Sequence, residues 1–382
     1  MLSVGGLAGI LAQTPVGALS DAARAKRAAI VAAAAAITLA SVAIPFAAGF
    51  RSVAGLQALS GAAGAVFPPA VAAVTLGIVG PRAFARRVGR NEAFNHAGNA
   101  ASAAVAAVTA YFLGPVVVFW LMAAVAALSV ASTLAIPARA INHEVARGLD
   151  ARDPAAGRAR ESPSGVRALP ACRPLLVFAA RVVPFHFANA AMLPLVGQKL
   201  ALVAGKESGT SLMAVCIVAA RAVMVPVAMP VGSKADAWGR KPFFLDGFAV
   251  PAARGALYTL SDDPFWPVAV QPLDGVGAGV FGALFPVIVA DLTRGTGRFN
   301  VSQGVISTAH GVGASLSTAV AGFVVVGAGY PAASLCLSGV AAAGLALYWF
   351  VMPETGSHPA APGRGRPSRP GPPGTGRDVA PV

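Results

Sequence analysis

The chain has 382 residues, of which 56% are hydrophobic and 12% are charged, and its formal net charge is +14. A soluble globular protein has about 45–50% apolar and about 25% charged residues, so this composition excludes an ordinary soluble fold and, for most of the chain, intrinsic disorder. Three scattered cysteines also exclude a disulfide framework or a zinc ribbon.

Eleven segments are apolar enough for membrane helices, which need about 20 residues each. In chain order they cover 1–19, 28–48, 53–79, 91–113, 115–136, 174–200, 208–231, 242–260, 264–291, 300–328 and 331–352. We therefore expect an all-α polytopic membrane protein. Residues 1–137 are expected to form an N-terminal bundle of about five helices, and 174–352 a C-terminal bundle of six. A polar linker, 138–173, separates the bundles, and 353–382, rich in Pro, Gly and Arg, predict a disordered tail.

Most of the positive charge lies in alternate connections between the predicted helices. These connections are 20–27, 80–90, 137–173, 232–241, 292–299 and the tail from 353, and they hold 23 of the 29 lysines and arginines, against three in the opposite connections. Basic residues of membrane proteins collect on the cytoplasmic side. The distribution predicts a multi-pass protein of the cell membrane with a cytoplasmic C-terminus, and it explains the charge without a nucleic-acid partner.

Two parts of the sequence repeat each other. Residues 57–67 read QALSGAAGAVF, and residues 271–281, at an offset of 214, read QPLDGVGAGVF. His96 falls on His310 at the same offset, and residues 17–21 fall on 232–236 at an offset of 215. Six predicted helices separate equivalent points. Because six is even, both halves have the same orientation, as in parallel transporter repeats.

Both halves also carry a short charged connection of similar sequence. The first copy reads GALSDAARAKR over 17–27, and the second reads GSKADAWGRK over 232–241. Both resemble the signature of the major facilitator superfamily, which follows that family's second and eighth helices. The resemblance extends to about residue 352, and the second copy matches better because it keeps a glycine before the basic pair. The positions that match are Gly17, Asp21, Arg24, Arg27, Gly232, Asp236, Gly239, Arg240 and Lys241.

The resemblance implies two six-helix bundles related by a pseudo-repeat, with about eleven helices present because the family's first helix is missing here. We expect the aspartates of the signature to meet helix N-termini, whose free N–H groups favour an anion. The basic residues are expected to pair with acids at other helix ends, for example Arg240 with Asp291. Such contacts would form a cytoplasmic gate; an ordinary positively charged loop is the alternative.

Polar side chains inside the predicted helices define a candidate pathway, because ionisable groups are costly in a bilayer. Glu92, His96 and Asn99 share one face of 91–113, and Gln303 and His310 share one face of 300–328. In the superfamily these are the fifth and eleventh helices, which face the central cavity. Since histidine changes protonation near neutral pH, the two faces predict a substrate or proton pathway. Structural hydrogen bonding between helices is the alternative.

Four further residues belong to this predicted pathway. His186 and Asn189 share a face of 174–200. Arg221, in the middle of 208–231, is a candidate for binding an anionic substrate group or a carboxylate partner such as Asp274. A buried acid that is neutralised by protonation is a basis for proton coupling, so Asp274 is also a coupling candidate unless it is solvated at a helix end.

These features predict a secondary active transporter that moves a small solute through the lipid bilayer by alternating access. We expect coupling to protons or another ion, export rather than import, and a monomer. The sequence has no glycine-rich phosphate-binding loop and no metal-binding or nucleophile motif. We therefore expect no enzymatic activity, no cofactor and no metal. A transporter-derived membrane sensor or scaffold, or an inactive truncated transporter, is the alternative.

Overall fold

A computed structural model describes residues 2–114, 116–149 and 172–351. Within these ranges the chain folds into helices and their connections, without strands. The first half contains α1 (Leu2–Ala22), α2 (Lys26–Ala43), α3 (Gly49–Gly64), α4 (Phe67–Leu113) and α5 (Val117–Ala135). The second half contains α6 (Arg173–Ala190), α7 (Met192–Val203), α8 (Lys206–Trp238), α9 (Lys241–Leu257), α10 (Trp266–Val270), α11 (Pro272–Leu292) and α12 (Phe299–Val351).

Two of these helices are each long enough to cross a membrane twice. Helix α4 has 47 residues and is interrupted at Gly80 (φ 71°, ψ 171°), directly before Pro81. Helix α12 has 53 residues and is interrupted at Gly329 (φ 83°, ψ 176°), just before Pro331. Glycine adopts this positive-φ conformation without the steric cost that other residues meet. With α4 and α12 each divided at its glycine, all eleven predicted segments fall on helices.

Three predicted segments are broken where the sequence predicted one continuous helix. The segment 53–79 is interrupted by a turn at residues 65–66, 174–200 is interrupted at Ala191, and 264–291 is interrupted at Gln271. At Ala191 the backbone N–H donates to the Ser317 hydroxyl (3.0 Å). This bond comes from another helix and gives the backbone at the break a partner outside its own helix.

The predicted connections 80–90 and 232–241 are also largely helical, since α4 resumes at Pro81 and α8 continues to Trp238. The predicted linker is partly folded as well. Asn142 donates its backbone N–H to the Gly77 carbonyl (3.0 Å), and Gly295 donates to the Gly148 carbonyl (2.7 Å). The start of the linker is therefore tied to both halves of the molecule. Residues 150–171 and the tail 353–382 lie outside the described residues.

The two halves touch through backbone contacts that repeat the sequence offset. A methyl group on Gly17 would lie 2.4 Å from the Asn300 carbonyl oxygen, and one on Gly304 would lie 2.3 Å from that of Gln13. These contacts join α1 to α12. The contacts between α4 and α8 are equivalent: a methyl group on Gly232 would lie 2.7 Å from the Ala85 carbonyl oxygen, and one on Gly89 would lie 2.5 Å from that of Ala228.

Every member of one contact set is 215 residues from its counterpart in the other, so the internal repeat is present in three dimensions as well as in sequence. Both contact sets lie at the end of the helices whose connections are rich in lysine and arginine. We call this the basic end of the bundle. Because glycine lets two backbones meet directly, the halves are closed against each other there.

Candidate solute site and basic-end contacts

Asp21 binds the N-terminus of α12. Its Oδ1 accepts hydrogen bonds from the Asn300 side-chain amide (2.7 Å) and backbone N–H (3.2 Å), and its Oδ2 accepts one from the Val301 backbone N–H (2.8 Å). The carboxylate is buried. It therefore supplies both the acceptor atoms and the negative charge that a helix N-terminus favours, and it joins the first half of the chain to the second.

The basic residues of the first copy have different environments. Arg24 is exposed, whereas Arg27 donates to the Leu134 carbonyl (2.8 Å). Lys26, which the sequence analysis did not single out, is buried and donates to the Ser20 (2.7 Å) and Ala23 (2.9 Å) carbonyls. Nearby, burial lowers the pKa of His143, and the charges of Lys26 and Arg24 lower it further. This end of the molecule is thus strongly positive.

The second copy contains the ion pair that the sequence suggested. Arg240 is buried, its Nε lies 3.2 Å from Asp291 Oδ2, and its Nη1 donates to the Ala235 carbonyl. Lys241 donates to the Trp349 carbonyl (2.9 Å). Gly239 ends α8 with φ 86°. The side chain of Asp236 lies outside the described part of the chain.

Polar side chains of α4 and α8 form a first cluster between the two halves. The Arg221 Nη1 atom lies 3.1 Å from His96 Nδ1, and His96 Nε2 lies 3.8 Å from Glu92 Oε2. Asn95 donates to Glu92 (3.2 Å), and Asn99 donates in turn to Asn95. His96 is buried, while Asn99 is exposed. The polar face predicted on 91–113 therefore meets the arginine predicted on 208–231.

A second cluster joins α6, α11 and α12. The rings of His186 and His310 stack with their centroids 3.4 Å apart, and His186 also packs edge-on against Phe281 (4.6 Å). The His186 Nδ1 atom lies 3.1 Å from the Val182 carbonyl oxygen. Two histidines that the sequence placed on separate helices are thus direct neighbours. Phe281 stacks further on Phe185 (5.2 Å) and Phe285 (5.6 Å), which gives α11 an aromatic face.

Helix α11 connects the two clusters. Phe281 contacts both histidines of the second cluster. The next residue, Gly282, faces the first cluster, since a methyl group there would lie 3.2 Å from Glu92 Oε2. One turn of α11 therefore borders polar groups from both halves of the chain.

The pairing suggested between Arg221 and Asp274 is wrong. Asp274 forms its ion pair with Arg254, a fully buried side chain of α9, and also accepts a hydrogen bond from Gln271 (3.1 Å). Arg254 donates to Asn189 Oδ1 (2.7 Å) as well. Asp274 lies in the first turn of α11, where nearby Arg254 satisfies its charge. Arg254 is not among the predicted pathway residues, although an arginine within an apolar segment was a usable signal.

Gln303, on the predicted face of α12, is buried, and neither of its amide atoms has a hydrogen-bond partner among the described residues. It lies two turns before His310 on the same helix. Neither Gln303 nor Asn189 contacts the first cluster through a recorded hydrogen bond in the described ranges. The predicted pathway residues thus lie in three places. Arg221 meets His96, and His186 meets His310. Asn189 and Asp274 both contact Arg254.

These features define a class: a polytopic helical membrane protein of two repeated halves, with polar groups between them. A family model described as Major Facilitator Superfamily matches residues 1–297. Two curated relatives, each named an uncharacterized MFS-type transporter, come from Mycobacterium tuberculosis strains CDC 1551 / Oshkosh and H37Rv. Each is 58% identical over 355 residues, covering 93% of this chain and 84% of the relative. The chain belongs to the major facilitator superfamily.

Solved structures show the same fold at low sequence identity. The proton:xylose symporter XylE, bound to 6-bromo-6-deoxy-D-glucose, superposes with a TM-score of 0.66 at 11% identity, covering 92% of this chain and 86% of XylE. The human organic anion transporter MFSD10 (TETRAN) superposes with a TM-score of 0.62 at 16% identity, covering 90% and 82% of the two chains. The all-α polytopic fold expected from the sequence is confirmed.

Proposed function

We propose that this protein is a secondary transporter of the cell membrane whose two halves rock about a solute site between them. The observation that carries this proposal is the position of α11. Its Phe281–Gly282 turn borders His186 and His310 on one side and Glu92 on the other, and Glu92 and His96 come from the first half of the chain. A solute bound there would contact both halves and would respond to their relative movement.

The contacts at the basic end support a state that is closed on that side. We take this side as cytoplasmic because basic residues of membrane proteins collect there. Asp21 holds the N-terminus of α12, and the glycine contacts bring α1 against α12 and α4 against α8. All of these contacts would have to separate for a solute to leave toward the cytoplasm. Arg240 and Asp291 connect α11 to the connection after α8 in the same state.

Proton coupling forms part of the proposal because histidines occupy both clusters. The stacked rings of His186 and His310 are 3.4 Å apart, and two imidazolium charges at that distance repel each other strongly. The pair therefore favours at most one proton, and gain or loss of that proton changes the charge of the site. Export, the direction expected from the sequence, requires proton and solute to compete for the site.

Loss of either cluster is expected to stop transport without preventing membrane insertion. Arg221→Ala removes the cation of the first cluster, and His310→Ala removes one ring of the second. A transported solute can be found by thermal-shift screening, since a ligand that binds the native state raises its stability. Flux of that solute into vesicles should then fall to background in both variants. It should persist in Gly98→Ala, where no described residue outside the same helical turn lies within 4 Å of the added methyl group. Normal flux in both cluster variants would refute the proposed site.

A test of the rocking motion does not need the solute. Spin labels at Arg86→Cys and Ser233→Cys, both exposed at the basic end, report that side, and labels at Ser52→Cys and Ser208→Cys report the opposite end. The background lacks Cys172, Cys216 and Cys336. We expect two distance populations for each pair in lipid nanodiscs, with the basic-end distance short when the opposite distance is long. One unchanging distance per pair at every pH would instead favour a sensor, a scaffold or an inactive protein.

A further inference from the structure

The contact between Arg221 and His96 fixes the protonation state of the histidine. A guanidinium group only donates hydrogen bonds, so His96 Nδ1, 3.1 Å from Arg221 Nη1, must be the acceptor. The ring is therefore neutral, and its hydrogen is on Nε2. This Nε2 atom is buried, has no hydrogen-bond partner among the described residues, and lies 3.8 Å from Glu92 Oε2. A proton cannot bind to Nδ1 unless Arg221 moves away.

Arg221 has no carboxylate partner in the described part of the chain. Its recorded contacts are His96 Nδ1 and the sulfur of Met224 (3.8 Å). It lies fifteen residues into the 33-residue helix α8, far from either end. An arginine at such a depth is costly unless it is paired or functional. The two acids of α11 are not available to it, because Asp274 pairs with Arg254 and Asp291 with Arg240.

The charged and titratable groups around His96 form a short set. Glu92 lies on the same helix, and Arg221 lies on α8. On α11, which packs against α4 through Gly282, the acids are the two paired ones near the helix ends. On α12, His310 is stacked against His186. The ionisable groups nearest to the neutral ring of His96 are thus Arg221 and Glu92.

We propose that Arg221 binds the carboxylate of a small organic anion, and that this anion binds together with a proton taken from solvent by His96. The inference rests on the proposed function and assigns its substrate class. When the proton binds to Nδ1, the hydrogen bond from Arg221 breaks and the guanidinium is released. The released N–H groups and the new Nδ1–H then donate to the same carboxylate, while Nε2–H remains directed at Glu92. Addition of one proton and one anion leaves the net charge of the site unchanged, which limits the desolvation cost.

This coupling has a consequence for direction. Since proton and anion strengthen each other's binding, they occupy the site together and move the same way. An inward proton gradient would then drive uptake of the anion, rather than the export expected from the sequence. The residue before Gly282, which faces Glu92, is Phe281, and Phe281 stacks on Phe285 one turn along α11; an anion with an aromatic ring could reach this aromatic face.

The test measures binding of three matched probe pairs to the full-length protein by calorimetry. The pairs are benzoate and benzamide, nicotinate and nicotinamide, and succinate and succinamide. We expect at least one carboxylate to bind about tenfold or more tightly than its amide, with uptake of about one proton per ligand. Above the pKa of His96, the dissociation constant should rise about tenfold per pH unit. Tighter binding of the aromatic carboxylates would support the role of α11, and succinate alone would limit the class to aliphatic acids.

Two variants separate this mechanism from a general loss of folding. His96→Gln retains an acceptor for Arg221 but cannot take the proton, so carboxylate binding should be weak and independent of pH. Arg221→Gln should bind each carboxylate no better than its amide. Equal binding of carboxylates and amides by the unchanged protein, a pH dependence that survives in His96→Gln, or the absence of carboxylate binding would overturn the proposal.

A ligand-free measurement checks the starting state. The protein has five histidines, so the ¹⁵N resonances of His96 can be assigned by their loss in His96→Gln. They should show hydrogen on Nε2 and none on Nδ1 at high pH; the opposite tautomer would contradict the proposal. If the spin-label distances alternate while the carboxylates fail to bind, the anion assignment is wrong and the transporter stands. If the distances never change, the proposed function itself is wrong.

Discussion

Replacement of Gly89 by alanine provides a graded test of the closed basic end. The added methyl carbon would lie 2.5 Å from the Ala228 carbonyl oxygen and 2.8 Å from the Gly232 Cα, whereas ordinary contacts begin near 3.4 Å. Relief of that overlap requires α4 and α8 to separate by nearly 1 Å at a point where backbone meets backbone. Overpacking of this kind costs about 1–3 kcal/mol. The cost falls only on the closed state, because the contact is absent when the halves part.

Gly98→Ala is the matched control on the same helix, since no described residue outside its own helical turn lies within 4 Å of the added methyl group. Both substitutions gain about 1 kcal/mol of helix propensity in either state, so that gain does not change the ratio of states. A penalty of about 1–3 kcal/mol lowers the ratio of closed to open molecules by about 5–150-fold.

The assay is the distance distribution between spin labels at Arg86→Cys and Ser233→Cys in nanodiscs. Gly89→Ala should enlarge the long-distance population, and Gly98→Ala should leave the distribution unchanged. The reasoning is refuted if Gly89→Ala and Gly98→Ala give the same distribution, because the glycine contact would then have no role in closure.

Two other contacts predict the direction in which a substitution changes the open population or the thermal stability. Asp21→Ala removes the acceptors at the N-terminus of α12, which costs about 0.5–2 kcal/mol of closed-state stability. The same spin labels should therefore show a larger open population, and Asp21→Asn should give a population between those of the unchanged protein and Asp21→Ala. An unchanged distance distribution for Asp21→Ala would contradict the role of this cap. Arg254→Met leaves the partly buried carboxylate of Asp274 without its cation. The loss should stay below the roughly 3–5 kcal/mol of a fully buried pair, and thermal unfolding in detergent should begin at a lower temperature. The double variant with Asp274→Leu should recover most of that stability, and equal stability of single and double variants would argue against the buried pair.

Much of the fold was predictable from the sequence because a membrane helix leaves a long apolar run and a repeat leaves matching residues. The glycine contacts between the halves keep the same offset of 215 that relates Gly17 to Gly232 in sequence. The break at Ala191 was not predictable, since its backbone N–H donates to Ser317 of a different helix, a contact that local sequence does not specify. The helical extension of 80–90 was missed because hydropathy detects the bilayer-crossing part of a helix and not its polar continuation.

For the site, local patterns predicted which residues share a helix face better than which residues of different helices meet. Glu92 and His96 are one turn apart on a single helix, so their shared face follows from helical periodicity. Contacts between helices depend on the rotation and depth of each helix, which the sequence does not specify. That is why Arg221 was matched with Asp274, while the structure pairs Arg221 with His96 and Asp274 with Arg254. The Arg240–Asp291 pair was foreseen because the family signature places Arg240 at one helix end and the predicted segment 264–291 ends at Asp291.

The central claim, that the site between the halves opens to each side in turn, is tested most directly by the reactivity of a single cysteine at Asn99. This side chain is exposed and belongs to the first cluster. In a background without native cysteines, Asn99→Cys is treated with a membrane-impermeant thiol reagent in right-side-out and in inverted vesicles. We expect labelling from both sides, with Gly89→Ala increasing the rate from the basic end and reducing it from the other. Labelling from one side alone, unaffected by Gly89→Ala, would contradict alternating access.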